Sequence, residues 1–288
     1  MIVRRPINYY SNPTSSQGCG LSGARILIGL IVAGIAIFSF LGSQVYNPVT
    51  GENQYVSITP DQEIVLGLQA APEMIQEYGG EEANSPQAAQ VQQVGARLLQ
   101  KSDAANTDWQ FQFHLLRDNQ TVNAFALPGG QVFITEGLYQ LLQTEGQLAG
   151  VLGHEMGHVL ARHGAQQLAK NQLTEGLIGA VAVAASNPND PNGANAAQVA
   201  QVVGQLVNLK YSREDESQAD TLGVRLMAEA GYDPRAMIQV QQILEQLSSE
   251  GQPPEFLSDH PDPANRIANI QAEIQKEFPN GVPAGMTP

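Results

Sequence analysis

The chain has 288 residues, enough for one sizeable core or two small domains. Its 28 acidic against 14 basic side chains give a net charge of −14, which argues against a nucleic-acid partner. One cysteine, Cys19, excludes both an intramolecular disulfide framework and a cysteine-based zinc cluster.

Residues 1–25 carry Arg4, Arg5 and Arg25 and precede an apolar run from Ile26 to Gly42, with Ser39 in it and no charge. Its length lies at the short edge of the roughly 17 to 25 residues that span a bilayer. The next basic residue is Arg97. This asymmetry predicts a transmembrane signal anchor over 26–42, residues 1–25 in the cytoplasm, and the rest on the extracytoplasmic (periplasmic or lumenal) side. A cleaved signal peptide is the competing reading, but the apolar run is long for one and no A-x-A site follows it. Beyond the three arginines, 11 basic and 28 acidic side chains remain, a net −17, so attachment is expected from the anchor and not from charge.

Residues 43–58 read as a polar linker with an "NPVTG" turn. Thr59, Pro60 and Gln62 form a capping-box start for a helix that Gly79-Gly80 ends. A second amphipathic helix is predicted over 86–101, with Val91, Val94, Leu98 and Leu99 on one side. Strand signals fall between Trp109 and Thr135. "WQFQFHLL" alternates, and "TVNAFALPGGQVFIT" reads as two strands joined at Pro128-Gly129-Gly130. Helix signals dominate from there to Glu277, apart from a loop over 186–195. The fold class is therefore α+β, a small sheet followed by helices, with the domain at 59–277 and a flexible tail at 278–288. The Ala-, Gly- and Val-rich stretch Leu173 to Leu209 reads as closely packed small-residue helices, or as a lid or membrane-grazing hairpin.

"VLGHEMGHVLARHGA", residues 151–165, holds three of the five histidines. On a helix starting at the Thr144 cap, His158 lies roughly 40° from His154, so both imidazoles share one face. Leu148, Leu152, Val159 and Leu160 fall on the opposite side, giving a buried back and a polar front. Two neutral nitrogens aimed at one point suit zinc, and Glu155 beside them can reach a water on the metal without being a ligand. His163 falls in the apolar arc of the same wheel and reads as a structural histidine. A glutamate on the later helix "YSREDESQADTLGVRLMAEAGYDP" is the better third ligand. Of Glu214 and Glu216, Glu216 has Asp220 one turn on, placed to accept the free N–H of a ligating histidine. Ala219 and Gly223 leave room there for close packing against the histidine helix.

"HEMGH", the later Ser212, Arg213, Glu216, Ala219 and Asp220, and "NAFALPGGQVFITEGL" together resemble the membrane-associated zinc metallopeptidases of the HtpX, BepA and CAAX-prenyl endopeptidase group, metallopeptidase family forty-eight. The resemblance covers roughly residues 57 to 275. It implies a gluzincin-type, mostly helical domain with one Zn2+ on His154, His158 and Glu216. It also implies a substrate-binding edge strand at Asn123, Ala124 and Phe125. His260, in "FLSDHPDP", reads as a surface loop histidine. In BepA-like members a histidine in a similar setting approaches the zinc, which would make it a regulatory fourth ligand. Neither the tetratricopeptide repeats of BepA nor the multi-spanning bodies of the other members are visible here. Chaperone work by repeats and cleavage of prenylated substrates within the bilayer are therefore not expected.

The expected function is a zinc-dependent endopeptidase, with Glu155 as general base, cutting misfolded or misassembled proteins outside the cytoplasm. The alternative is a membrane-tethered, non-catalytic zinc protein that holds clients and would have no use for Glu155.

Overall fold

A computed structural model describes residues 23–185, 210–251, 253–261 and 263–288. Arg4, Arg5, Cys19 and the loop expected at 186–195 lie outside the described residues. The first helix, α1 (Gly23–Gly42), contains the apolar run. Its 20 residues and mean hydropathy of 2.4 make it long and apolar enough to cross a membrane. Gly29 is its one buried residue, while Leu30, Ile35 and Phe38 stand exposed, so it is not a core helix.

Residues 43–58, expected as a linker, form an antiparallel hairpin of β1 (Gln44–Asn47) and β2 (Glu52–Tyr55). Phe40 of α1 stacks on Tyr55, ring centres 4.6 Å apart, and fixes the hairpin to the end of that helix. Buried Asn47 and Gln54 explain the docking on its other side. Asn47 Nδ2 donates to the Leu160 carbonyl and Gln54 Nε2 to the Ala161 carbonyl, each at 2.8 Å. Those carbonyls end α5 (Glu145–Leu160), and a helix C-terminus leaves such acceptors without intrahelical partners.

Helix α2 (Pro60–Glu77) begins with the expected capping box, in which Gln62 N donates to Thr59 Oγ1 and Thr59 N to Gln62 Oε1. Helix α3 (Pro86–Lys101) buries Val91, Val94 and Leu98. Three strands follow: β3 (Gln112–Leu116), β4 (Ala124–Leu127) and β5 (Gln131–Thr135), ordered β3-β5-β4. β5 is central, parallel to β3 and antiparallel to β4, and every one of its residues is buried. This leaves β4 at an edge.

After the short α4 (Glu136–Tyr139), α5 runs through the middle of the molecule. Residues Gly146 to Leu160 are all buried, so the histidine-bearing front is enclosed as fully as the back. The expected polar front is thus corrected. Helices α7 (Arg213–Glu229) and α8 (Arg235–Ser249) pack beside it, and α10 (Pro263–Glu277), which follows the short α9 (Phe256–Asp259), packs against those two. Helix α6 (His163–Ala185) leaves the core and packs along α1.

Residues 278–288, expected as a flexible tail, return to the domain. Thr287 bridges to Tyr232, accepts from Asp233 N at 2.8 Å and donates to the Gly231 carbonyl at 2.9 Å. Pro288 O accepts from Gly146 N at 2.8 Å, satisfying one of the open N–H groups in the first turn of α5.

Candidate metal centre

His154 and His158 lie one turn apart on α5, and Glu216 lies in the first turn of α7. That turn is fixed by a capping box: Asp215 N donates to Ser212 Oγ and Ser212 N to the Asp215 carboxylate. The two helices touch through small residues. A Cβ at Gly157 would lie 2.8 Å from the Ala219 carbonyl oxygen, so only glycine permits this approach.

Four side chains converge. His154 Nε2 lies 3.1 Å from His158 Nε2 and 3.2 Å from His260 Nδ1, and the Glu216 carboxylate is 3.4 Å from both α5 nitrogens. Glu216 Oε1 is 2.9 Å from His260 Nδ1. Ligands held at 2.0–2.1 Å around a tetrahedral zinc stand roughly 3.3 Å from one another. The separations here match that edge length. Exposure is 2% at His154 and His158 and 0% at Glu155, Glu216 and His260, so the centre is sealed. Both Glu155 oxygens, Glu216 Oε2 and His260 Nε2 have no hydrogen-bond partner. Unpaired buried groups cost about 1–3 kcal/mol each. A cation at the convergence point would satisfy part of that set, and the donors fit a metal.

The outer partners orient these rings. His154 Nδ1 is 3.0 Å from Asp220 Oδ1, which assigns its proton to Nδ1 and leaves Nε2 facing the centre. His158 Nδ1 is 2.9 Å from His163 Nδ1, whose Nε2 reaches Gln218 Oε1 at 3.0 Å. Phe256 stacks on His260 at 4.3 Å and Tyr211 lies on His158 at 3.9 Å.

Electrostatics separate the two glutamates. Burial would raise Glu216, but His260, with the neighbouring imidazoles of His154 and His158, holds it well below the usual carboxylate range. Burial raises Glu155 above the usual carboxylate range, against the pull of His260 and His154. Burial drives His158 well down despite Glu216. Burial and the Arg266 guanidinium also oppose the His154 imidazolium, yet Asp220 and Glu216 outweigh them and raise it to about 9.

Residues 85–274 match Peptidase family M48. The chain belongs to that family. It is an M48 metallopeptidase with an α+β, mostly helical domain. It is 30% identical to the mitochondrial metalloendopeptidase OMA1 of Schizosaccharomyces pombe over 87% of this chain and 74% of that one. It is also 30% identical to the beta-barrel assembly-enhancing protease of Escherichia coli strain K12, over 66% of this chain and 39% of the relative. Against the mitochondrial OMA1 of Bos taurus it is 32% identical over 54% of this chain and 31% of the other. The chain thus spans less than half the length of the last two.

Two features of this M48 site differ from the sequence reading. His163 does not continue the α5 wheel. The chain turns at Arg162, in the left-handed region at φ 56, where Glu63 Oε1 (2.7 Å from Nε) and the Ile58 carbonyl hold its guanidinium. His163 then opens α6 against His158. Arg266 joins the site without a motif to mark it. Its guanidinium forks onto Asp220 at 2.7 and 2.9 Å and lies 3.0 Å from Glu216 Oε2. The signal was a lone arginine in line with Ile270 and Ile274 on the buried face of α10.

Of the expected substrate strand, Asn123 and Ala124 are buried and Phe125 half-buried. Thr135 N donates to Asn123 O, so alternation turns the backbone groups of Ala124 and Ala126 away from β5. The segment leading to His260 sits at the start of this edge, where Phe256 N donates to Val122 O at 3.1 Å. A cavity of about 660 Å³ lies elsewhere, among Gly42, Tyr46, Trp109 and Arg162.

Proposed function

We propose that the chain is a zinc-dependent metalloendopeptidase, tethered by α1, that cuts misfolded or misassembled proteins outside the cytoplasm. Glu155 carries the reading: it is fully buried beside the converging donors, with neither oxygen hydrogen-bonded. His154, His158 and Glu216 hold one zinc per chain, and Asp220 orients His154. Zinc bound there supplies a Lewis acid that polarises the scissile carbonyl and lowers the pKa of a water toward ~7. Glu155 takes the water's proton and delivers it to the leaving amine. The outward-facing groups of Ala124 and Ala126 pair with an extended substrate, with Asn123 and Phe125 flanking them. Main-chain pairing of this kind tolerates many sequences, as clients of varied sequence require.

His260 would stand as a fourth donor to a bound metal and would exclude substrate until its segment moves. The basic residues before the apolar run support a cytoplasmic N-terminus, with the catalytic domain on the periplasmic or lumenal face. The relatives, a mitochondrial metalloendopeptidase and a beta-barrel assembly-enhancing protease, support protein substrates.

The closed set of four donors favours a second reading, a structural zinc centre in a protein that holds clients without cutting them. Digestion of casein separates the two. The zinc-loaded chain should degrade it, 1,10-phenanthroline should stop the reaction, and added zinc should restore it. Full zinc occupancy with no digestion, by wild type or by His260→Ala, would select the second reading.

A further inference from the structure

We infer that the C-terminal half of α6, from Gly176 onward, is inserted in the lipid bilayer beside α1. This rests on the proposal that α1 crosses the membrane. The two helices run antiparallel. Ala169 and Leu173 meet Ala36, Ser39 and Phe40 around a small cavity, and a Cβ at Gly176 would come 2.7 Å from Ala36 Cβ. As α6 advances, its neighbours in α1 therefore step back toward the N-terminus. With equal rise per residue, about 1.5 Å, Ala180 lies level with the middle of the apolar run near Val32. The hydrocarbon core is about 30 Å thick, so a helix packed against the middle of a spanning helix is itself in lipid.

The side chains of α6 agree with that placement. Ala180, one turn on from Gly176 and on the same side of α6, is 5% exposed, and Gly29 of α1 is buried as well. Small residues at both positions permit the close helix contact that packing inside lipid relies on. Leu177, Ile178 and Val181 point outward, with Ile178 63% and Val181 69% exposed. They extend the apolar surface of Leu30, Ile35 and Phe38. No charged residue occurs from Gly176 to Ala185, whereas Lys170 and Glu175 precede it. Such a surface is costly in water and is at home among acyl chains.

The placement ties the metal centre to the membrane. His163 touches His158 and opens the same helix. Thirteen residues separate it from Gly176, about 20 Å of helix. α6 is then a strut that sets the height of the centre above the bilayer.

The test uses the full chain with Cys19→Ser, reconstituted in phosphatidylcholine–phosphatidylglycerol vesicles. Nitroxides are attached singly through Ile178→Cys, Val181→Cys, Ile35→Cys in α1 and Lys170→Cys. Power-saturation EPR then compares collisions with oxygen, which partitions into lipid, and with a water-soluble nickel chelate. The inference predicts that positions 178 and 181 match position 35, with high oxygen and low nickel accessibility, and that 170 shows the reverse. Nickel accessibility at 178 and 181 equal to that at 170, with 35 shielded, would overturn the inference while leaving α1 in the membrane. Nickel access at 35 as well would overturn the spanning role of α1 and the inference with it.

Discussion

Asn123 donates from Nδ2 to the Glu255 carboxylate at 2.9 Å, fastening the segment that carries His260 to the residue preceding β4. Tyr78 donates its hydroxyl to the same carboxylate at 2.6 Å. The edge proposed for substrate and the histidine facing the metal centre are therefore held by one clasp. Releasing it should free both. His260→Ala is expected to raise basal proteolysis while leaving zinc near one per chain, because three ligands remain. Glu255→Ala should act in the same direction with His260 still present. Proteolysis rates paired with metal analysis check this, and unchanged rates in both variants would remove the regulatory role.

The third ligand is tested by metal content. Glu216→Ala should lose most of its zinc, whereas Glu214→Ala should keep about one ion per chain. His163→Ala should also keep its ion at saturation. It should bind about 10–100-fold more weakly in competition with a chelator, since its contact with His158 Nδ1 orients a ligand. Zinc loss in the His163 variant alone would reverse the assignment.

Arg266 pairs with both Asp220 and Glu216 in a site closed to water, at 3% exposure. Removing one partner of a buried ion pair costs roughly 3–5 kcal/mol. Arg266→Ala should therefore lower the urea midpoint of the metal-free protein substantially, and a loss under 1 kcal/mol, read from the same titration, would show that the pairing is not structural.

The hairpin makes a separate claim. Asn47 is buried and spends its amide on the last turn of α5 and on Gln54. Asn47→Ala should destabilise the domain by about 1–3 kcal/mol in denaturant melts, the range for orphaned buried acceptors. A true linker residue would show no change.

Local chemistry made much of this fold legible in sequence. Thr59 and Gln62, Pro86 with its apolar stripe, and the Pro128-Gly129-Gly130 turn act within a few residues, and their elements lie where they were expected. The convergence of His154, His158 and Glu216 followed from helical spacing and from the room left at Ala219. What could not be read depends on distant partners. Asn47 and Gln54 look like solvent-facing letters until the carbonyls of Leu160 and Ala161 are known to need donors. His163 was misplaced on a continuous wheel because nothing local marks Arg162 as left-handed. Its conformation is held by Glu63, far away in sequence. Arg266 drew no attention because one arginine in a polar helix is ordinary until Asp220 lies beneath it.

The most direct test of the account is the Glu155→Gln variant. The amide keeps the size of the carboxylate and cannot accept and return a proton, so only the general base is removed. Wild type and variant, each with zinc quantified, are compared for casein cleavage in the His260→Ala background. The account predicts equal folding and zinc content with nearly all cleavage lost. Turnover near that of the parent with zinc in place would contradict it.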